Sequence, residues 1–517
     1  MSIQVSYPGV YIEEIASGQP VVTAVTTAST GFVDYFARGP VGVATQINTW
    51  TNFQQVYGGL DPKSEASYAI YQYFLNGGQI AWVVRVANGA TTASATDATT
   101  GFSFQAANPG VWGNTIICTI TQPQQVGQAA IAPGVFNLAV AQAAKGGGAS
   151  ENYLNLSLDP TSAQYAPAVI NAASQLIQVP STTTNGVTTY TLPAMPAQGV
   201  QNPIPESLLM TFSGGTNGTL PEATDFTDQL GAFLLIAPSM INTLCLPATA
   251  NASAGDASSA INAALSWCNA NKAFYIVDIP STIVTVQAMT SWAQANVLNA
   301  NNYVGAVYFP RLVIPDPNAN YQPKNVASSG TIAGVYARID NTEGVWVAPA
   351  GTEATIINAN LAVQIGDSQN GQLNPLGINA LRSFPVFGNL IWGARTLAGA
   401  DQISSQWKYI PVRRLLNFIE LSLQQSLKWA VFQPNDQALW TNITVEAGNF
   451  LAGLYSQGAF AGATASAAYF VQCDSTTTTP TDIAQGICNV IIGVAPVQPA
   501  EFIVLQIQQI AGQTTAS

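Results

Sequence analysis

The stretch Ile80–Val86 (IAWVVRV) is a near-continuous apolar run of strand length. A half-buried strand alternates apolar and polar residues, so a run of this kind predicts a strand covered on both faces, as in a parallel sheet flanked by helices. Its surroundings agree. Thr30–Phe36 reads as an earlier strand, and Ser64–Leu75 reads as a helix with Tyr68, Tyr71 and Leu75 on one face, ended by Asn76-Gly77-Gly78. The alternation returns between Phe226 and about Asp316. There Ile241–Leu246, Ala273–Asp278 and Ala306–Phe309 read as strands, and Ser258–Cys268 and Thr285–Leu298 as helices. Together these segments predict an α/β sheet with helices over its faces.

Between the two α/β stretches the composition changes. From Asn88 to about Gly215 the chain is rich in Thr, Ser, Ala, Gln, Pro and Gly, with short strands at Thr115–Thr121 and Asn152–Leu158 and a loop at Lys145–Gly148. Ser181–Leu192 reads as a hairpin turning at Asn185-Gly186. This block is expected to be a β-rich domain inserted into the α/β host. The last block, Arg382–Ile510, carries long helices at Pro411–Phe432 and Asn435–Gln457 and strands at Ala468–Cys473, Ile487–Val494 and Glu501–Gln509. The first 18 residues read as an extended arm: Val5, Tyr7, Tyr11 and Ile12 suit a strand, broken by Pro8-Gly9. A length of 517 residues suits about three domains.

Several function classes are excluded or disfavoured by residue content. The chain has no histidine, which removes Ser-His-Asp and Cys-His hydrolases, HExxH proteases and most zinc chemistry. No GxxxxGK[ST] string offers a phosphate cradle. Asp256, Asp278, Asp316 and Asp367 sit in unlike contexts with nothing to pair them, so solvated or capping roles are expected rather than carboxylate catalysis. Five widely spaced cysteines without a CxxC read as buried reduced thiols. No cofactor is expected. A net charge of −12 argues against direct nucleic-acid binding. No apolar run reaches membrane-spanning length, the run Phe233–Ile236 being stopped by Pro238, and the N-terminus has no basic region followed by an apolar core. Charged residues are only 8% of the chain against about 25–35% for a solvated surface. A skin so poor in charge suits contact with further copies of the same chain.

A set of strings in fixed order points to a family. Near the N-terminus they are Tyr7-Pro8-Gly9-Val10-Tyr11-Ile12-Glu13-Glu14, Thr30-Gly31-Phe32-Val33-Asp34 running to Arg38-Gly39-Pro40, Val56-Tyr57-Gly58-Gly59, Asn76-Gly77-Gly78 and Val83-Val84-Arg85-Val86. In the C-terminal half they are Ala333-Gly334-Val335-Tyr336-Ala337-Arg338, Gly344-Val345-Trp346, Gly377-Ile378-Asn379, Trp392-Gly393-Ala394-Arg395, Tyr409-Ile410-Pro411-Val412-Arg413-Arg414, Cys473-Asp474 and Ala495-Pro496-Val497-Gln498-Pro499-Ala500-Glu501-Phe502-Ile503. They resemble the sheath proteins of contractile phage tails and tail-like injection particles over residues 1–90 and about 213–510. The resemblance is weak across 88–211. The chain also departs at Ser475 and the four threonines after it, and at Val386-Phe387-Gly388.

The resemblance implies an α/β multidomain protein. Residues 1–20 would be a linking arm, 21–90 and 216–380 the two parts of a subtilisin-like α/β domain, 91–215 an inserted β-rich domain facing outward, and 381–517 an α+β sheath domain facing the tube and completed by extended terminal arms. It implies a structural subunit, not an enzyme, that polymerises as stacked hexameric rings. Implied partners are the chain itself, an inner tube protein, and baseplate and tail terminator proteins, in a virion tail or injection particle assembled in the host cytoplasm. Other virion structural proteins, or a degenerate subtilisin-like hydrolase, are the alternatives.

Two sets of candidate contact residues follow. Tyr11, Ile12 and Glu13 at one end, and Phe502, Ile503, Val504, Leu505 and Ile507 at the other, lie on terminal strands that either complete the chain's own sheet or add to a neighbour's. Six of the 14 Lys and Arg residues fall between Arg382 and Lys428, opposed there by Asp401 and Glu420 alone. That cluster is either a solvated helix face with local ion pairs or a basic patch for an acidic tube. Arg413, Arg414 and Lys428 are the candidates, placed on the flank or exposed face of a helix whose Leu415, Phe418, Ile419 and Leu423 pack inward.

Overall fold

A computed structural model describes residues 21–124, 133–143, 148–196 and 204–503. The chain forms two compact units: Ala28–Thr342 with Pro349–Lys408, and Glu343–Ala348 with the described parts of 1–27 and 409–517.

The larger unit is built on one sheet. Its elements in chain order are β1 (Ser29–Tyr35), β2 (Thr45–Ile47), α1 (Trp50–Tyr57), α2 (Glu65–Leu75), β3 (Ile80–Val86), β4 (Thr243–Cys245), α3 (Ala254–Asn271), β5 (Phe274–Val277), α4 (Val286–Asn296), β6 (Gly305–Phe309), α5 (Ser329–Thr342), β7 (Asn379–Phe384) and β8 (Gly388–Trp392). The strand order is β2-β3-β1-β4-β5-β6-β7-β8. All pairs from β3 to β7 are parallel, and each edge is closed by an antiparallel strand, β2 on β3 and β8 on β7. Alternating side chains feed two cores. On one face Val33, Val84, Leu244, Tyr275, Val277 and Val307 pack with Ile261, Leu265 and Cys268 of α3 and Met289 and Ala293 of α4. On the other face α2 and α5 lie side by side: Phe32 meets Tyr73 edge-on, and Tyr336 reaches Phe274 and hydrogen-bonds the hydroxyl of Tyr308 at 2.5 Å. The continuous apolar run at Ile80–Val86 is thus explained by burial on both sides.

The block between β3 and β4 leaves and returns through a narrow neck. Asn88 bridges Thr219, Thr91 bridges Thr216 and Ser94 bridges Ser213. Beyond the neck lie a four-stranded antiparallel sheet (Ser207–Thr211, Ile116–Thr121, Val135–Gln142, Ser150–Ser157), a three-stranded sheet and a hairpin. They enclose a core of their own around Phe102, Phe104, Phe136 and Leu156. The hairpin pairs Ser181–Thr184 with Val187–Tyr190, and its turn residues Asn185 and Gly186 both have positive φ, 52° and 80°. That is the left-handed pair a two-residue hairpin turn needs.

Three expectations about elements are corrected. Residues 21–90 hold two helices, not one: Thr49 caps α1 by accepting from the Asn52 amide at 3.1 Å, and Gly58 closes it with φ 93°. The α2 face is broader than Tyr68, Tyr71 and Leu75. Ala66, Tyr68, Ala69, Ile70, Gln72 and Tyr73 are buried, whereas Leu75 is exposed, because α2 is covered by both sheet and α5. The inserted block also contains a helix, Ala166–Ala173, that its β-rich composition did not suggest.

The smaller unit comprises α6 (Ile410–Ser426), α7 (Gln437–Ser456), and the antiparallel pair β9 (Tyr469–Gln472) and β10 (Ile491–Val494). Pro411 sits in the first turn of α6, where a missing N–H costs nothing. Asp436 caps α7 by accepting from the amides of Ala438 and Leu439. Leu415, Phe418, Ile419 and Leu423 of α6 meet Ala447, Leu451 and Leu454 of α7, together with Val345 and Val22.

Candidate interaction surfaces and a buried acidic cluster

The basic residues do not form one patch. Arg382, Arg395 and Lys408 belong to the larger unit and Arg413, Arg414 and Lys428 to the smaller. Arg382 pairs with Asp367 at 2.6 Å. Arg395 is buried, bonded to Asp401 at 2.9 Å and to the Asn374 carbonyl at 2.9 Å, and Lys408 shares Asp401 at 2.8 Å. These two cations hold the Asp401 carboxyl below the usual range, Lys408 most strongly.

Arg413 and Arg414 are not on an exposed face: they are 5% and 4% accessible. Arg413 donates to Asn417 at 2.8 Å and Glu420 at 2.8 Å, one and two turns along α6. Arg414 reaches the Thr27 carbonyl at 3.4 Å. It belongs to a seam in which residues 21–27 run along α6, the Val25 amide donating to Ser422 at 3.1 Å and the Thr23 amide to Ser426 at 3.0 Å. The misplacement has a physical cause. The N-terminal segment and Val345 cover the helix on a second side, and no helical periodicity announces a segment from 390 residues away. Lys428 is exposed, on the short 3-10 turn Leu427–Ala430 that follows α6.

Of the terminal-strand candidates, Tyr11, Ile12, Glu13, Val504, Leu505 and Ile507 lie outside the described residues. Phe502 and Ile503 are described; neither is in a strand, and they are 74% and 81% exposed. Tyr409 donates to Glu501 at 3.1 Å just before them. Among the described residues β9 and β10 form a sheet of two strands, with Phe470 and Ile491 half-exposed on it.

A third feature was not anticipated. At the carboxyl ends of the central strands of the larger unit lie three buried carboxylates. Asp34, in β1, accepts from the Ala66 amide at 2.7 Å and the Ser64 hydroxyl at 3.2 Å, so it caps α2 from outside that helix. Asp278, just past β5, accepts from the Ser329 amide at 3.0 Å and so caps α5. Glu65 forms a buried ion pair with Arg311 and accepts from the Ala327 amide at 2.8 Å. Burial raises the Asp34 carboxyl to about 7 and the Asp278 carboxyl to about 6, against the opposing pull of the helix amides. A cleft of about 230 Å³ opens beside Asp34, Lys63, Glu65 and Asp256. Ser64 and Ser329 are fully buried, so the hydroxyls beside these carboxylates are not accessible as nucleophiles. The chemistry this arrangement performs is capping.

Of the four aspartates expected to be solvated or capping, Asp256 and Asp367 are exposed. Asp278 and Asp316 are caps, both buried, Asp316 also accepting from the Tyr68 hydroxyl at 3.0 Å. The strings that carried the family resemblance are likewise joints. Asn379 donates to the Arg395 carbonyl at 2.7 Å and accepts the Arg395 amide at 2.7 Å, locking β7 to the segment after β8. Arg85, fully buried, donates to the carbonyls of Gly39 at 2.7 Å and Pro109 at 2.8 Å, tying β3 to the β1–β2 loop and to the base of the insertion.

Comparison with known proteins gives a consistent result. Residues 402–510 match the family model of the phage tail sheath C-terminal domain. The chain is 29% identical over 180 residues to the tail sheath protein of Enterobacteria phage T4, covering 34% of this chain and 26% of that one. It is 28% identical over 189 residues to the tail sheath protein of Vibrio phage KVP40, covering 36% and 27%. The matched stretch thus spans about a quarter of the length of these curated relatives. In fold, the chain is similar to the sheath of the extracellular contractile injection system PVC in its contracted state, with a TM-score of 0.59 at 23% identity over 98% of this chain and 99% of that one. A sheath tail protein of Listeria innocua gives a TM-score of 0.59 at 12% identity, over 92% and 96%. By sequence, by family model and by fold the chain is therefore similar to one kind of protein, the sheath of contractile tails and injection systems, as its motifs imply.

Proposed function

We propose that this chain is a structural subunit of a contractile sheath. Copies stack as hexameric rings around an inner tube, are held extended away from their energy minimum, and repack to drive the tube through a target envelope when a baseplate releases them. The work comes from the difference in subunit packing between two states, and no nucleotide is needed. The observation that carries this reading is the fold likeness over 98% of the chain to a sheath complex. Baseplate, tube and terminator proteins are its proposed partners, in a virion tail or injection particle assembled in the host cytoplasm.

The described residues lend support at two points. Among the described residues the β9–β10 pair has open edges, which suits completion by terminal strands around Tyr11–Glu13 and Phe502–Ile507 of neighbouring copies. Each such strand adds only a few kcal/mol at about 0.5–1.5 kcal/mol per hydrogen bond, so links can hold while subunits rotate. The narrow neck of the inserted block suits an outward-facing accessory domain, and the helix-covered parallel sheet suits a subtilisin-like core whose carboxylates cap helices rather than catalyse. Contact with an acidic tube now rests on Lys428, since Arg413 and Arg414 are held inside their unit.

Electron microscopy of the overexpressed full chain tests the reading. Tubes or stacked rings are expected. Shells or thin rods would assign another virion role, and turnover abolished by substituting Ser329 or Asp278 would assign a hydrolase.

A further inference from the structure

Cys473 directly follows β9, and Cys488 lies three residues before β10. Both thiols are free and their Sγ atoms are 3.6 Å apart. They share a small apolar cluster with Leu439, Trp440 and Ile443 of α7. The segment between them is fastened at its two ends by polar contacts: Asp474 accepts from the Thr476 amide at 2.7 Å, Thr477 donates to the Asn489 carbonyl at 3.0 Å, and the Asn489 amide donates to Thr478 at 2.9 Å. The two sulfurs are therefore held face to face by the backbone on both sides. Cys473 is buried and Cys488 partly accessible, whereas Cys118, Cys245 and Cys268 are each buried in the cores of the larger unit.

We propose that Cys473 and Cys488 are a redox modification site, which a low-molecular-weight disulfide converts into an intrachain disulfide that closes the loop 474–487. This goes beyond a sheath role and does not depend on it. In the first step the Cys488 thiolate attacks one sulfur of the oxidant. The oxidant's S–S bond breaks, one small thiolate leaves and takes up a proton, and Cys488 carries a mixed disulfide. In the second step Cys473 gives up its proton to solvent and attacks the Cys488 sulfur, releasing the second small thiol. Two cysteines are oxidised and one disulfide is reduced to two thiols. The sulfurs must close from 3.6 Å to about 2.05 Å. Burial, with the neighbouring thiol, pushes Cys473 up to about 12. The second step therefore gains speed as pH rises.

The test uses the full chain, purified reduced and incubated with oxidised glutathione at about pH 8. Intact mass, thiol titration after denaturation and a non-reducing peptide map are followed. The expected result is a fall from five titratable thiols to three, one peptide pair joining Cys473 to Cys488, and no crosslink between chains. Cys473→Ser is expected to stop at a glutathione adduct on Cys488. The proposal is overturned if the wild-type chain keeps five thiols, if its adduct on Cys488 never resolves, or if the linkage joins other cysteines or other chains. The wild-type map decides the matter even if the variant does not fold.

Discussion

The two β-sheets that anchor the two units are built to opposite standards. In the larger unit every residue of β1, β5 and β6 is buried, each inner strand has a partner on both sides, and antiparallel strands close both edges. In the smaller unit no residue of β9 or β10 is fully buried, and among the described residues each strand has one partner. An isolated strand pair is marginal in water, and open edges invite further strands. The contrast separates a sheet that the chain's own strands close at both edges from one whose edges the described residues leave open.

The comparison is broken most directly by attacking the closed sheet. Arg311→Ala strands Glu65 as an uncompensated buried charge, and a loss of about 3–5 kcal/mol in unfolding free energy is expected by chemical denaturation. A loss under 1 kcal/mol would mean that Arg311 and Glu65 do not form the buried ion pair described.

A smaller effect of opposite sign is expected from Asp278→Asn. The folded carboxyl titrates near 6, above its unfolded value of 3.8, so its stabilising contribution is complete below about pH 4 and is lost as pH rises through 6. Asparagine keeps the oxygen that accepts the Ser329 amide and never ionises. The variant should be more stable than wild type by about 1–3 kcal/mol at pH 7, with the gain vanishing near pH 4 in parallel melts. A gain that is the same at both pH values would break the assignment.

At the open sheet, Phe470→Ser should cost the isolated chain only about 1 kcal/mol, half the burial of a phenyl ring, while sedimentation shows loss of long polymers. Normal polymers would remove the β9–β10 pair from the assembly contacts. The smallest effect belongs to Lys428→Gln. An exposed charge contributes about 0–1 kcal/mol per contact, so a modest, salt-sensitive weakening of binding to purified tube is expected. Unchanged binding at low salt would leave no basic tube contact among the three candidates.

How much of this was legible in the sequence depended on whether the cause was local. Ile80–Val86 was read to the residue, because burial on two faces leaves a composition no other strand needs. The Asn185-Gly186 hairpin was legible for the same reason, its turn chemistry lying within two residues. Helices α6 and α7 were placed to within a few residues at their starts. The burial of Arg413 and Arg414 was not legible, since what covers α6 comes from residues 21–27 and from Val345. Nor was the acidic cluster, because Asp34, Glu65, Asp278 and Arg311 converge only when three strand ends meet the start of α2. The one available hint was Asp34 itself, a lone carboxylate ending the apolar run Gly31-Phe32-Val33. The motifs located the joints without revealing what they join: Asn379 and Arg395 were both singled out, but not as partners.

Helices α2 and α5 touch through backbone. A methyl group placed on Gly330 would collide with the main chain of Ala69, and one on Gly334 with that of Tyr73. Where side chains separate two helices, their rotamers can rearrange and let one helix slide past the other. At these two contacts no such bearing lies between them, so sliding one helix past the other there means moving main chain against main chain. A pair joined in this way is suited to act as a strut rather than as a hinge.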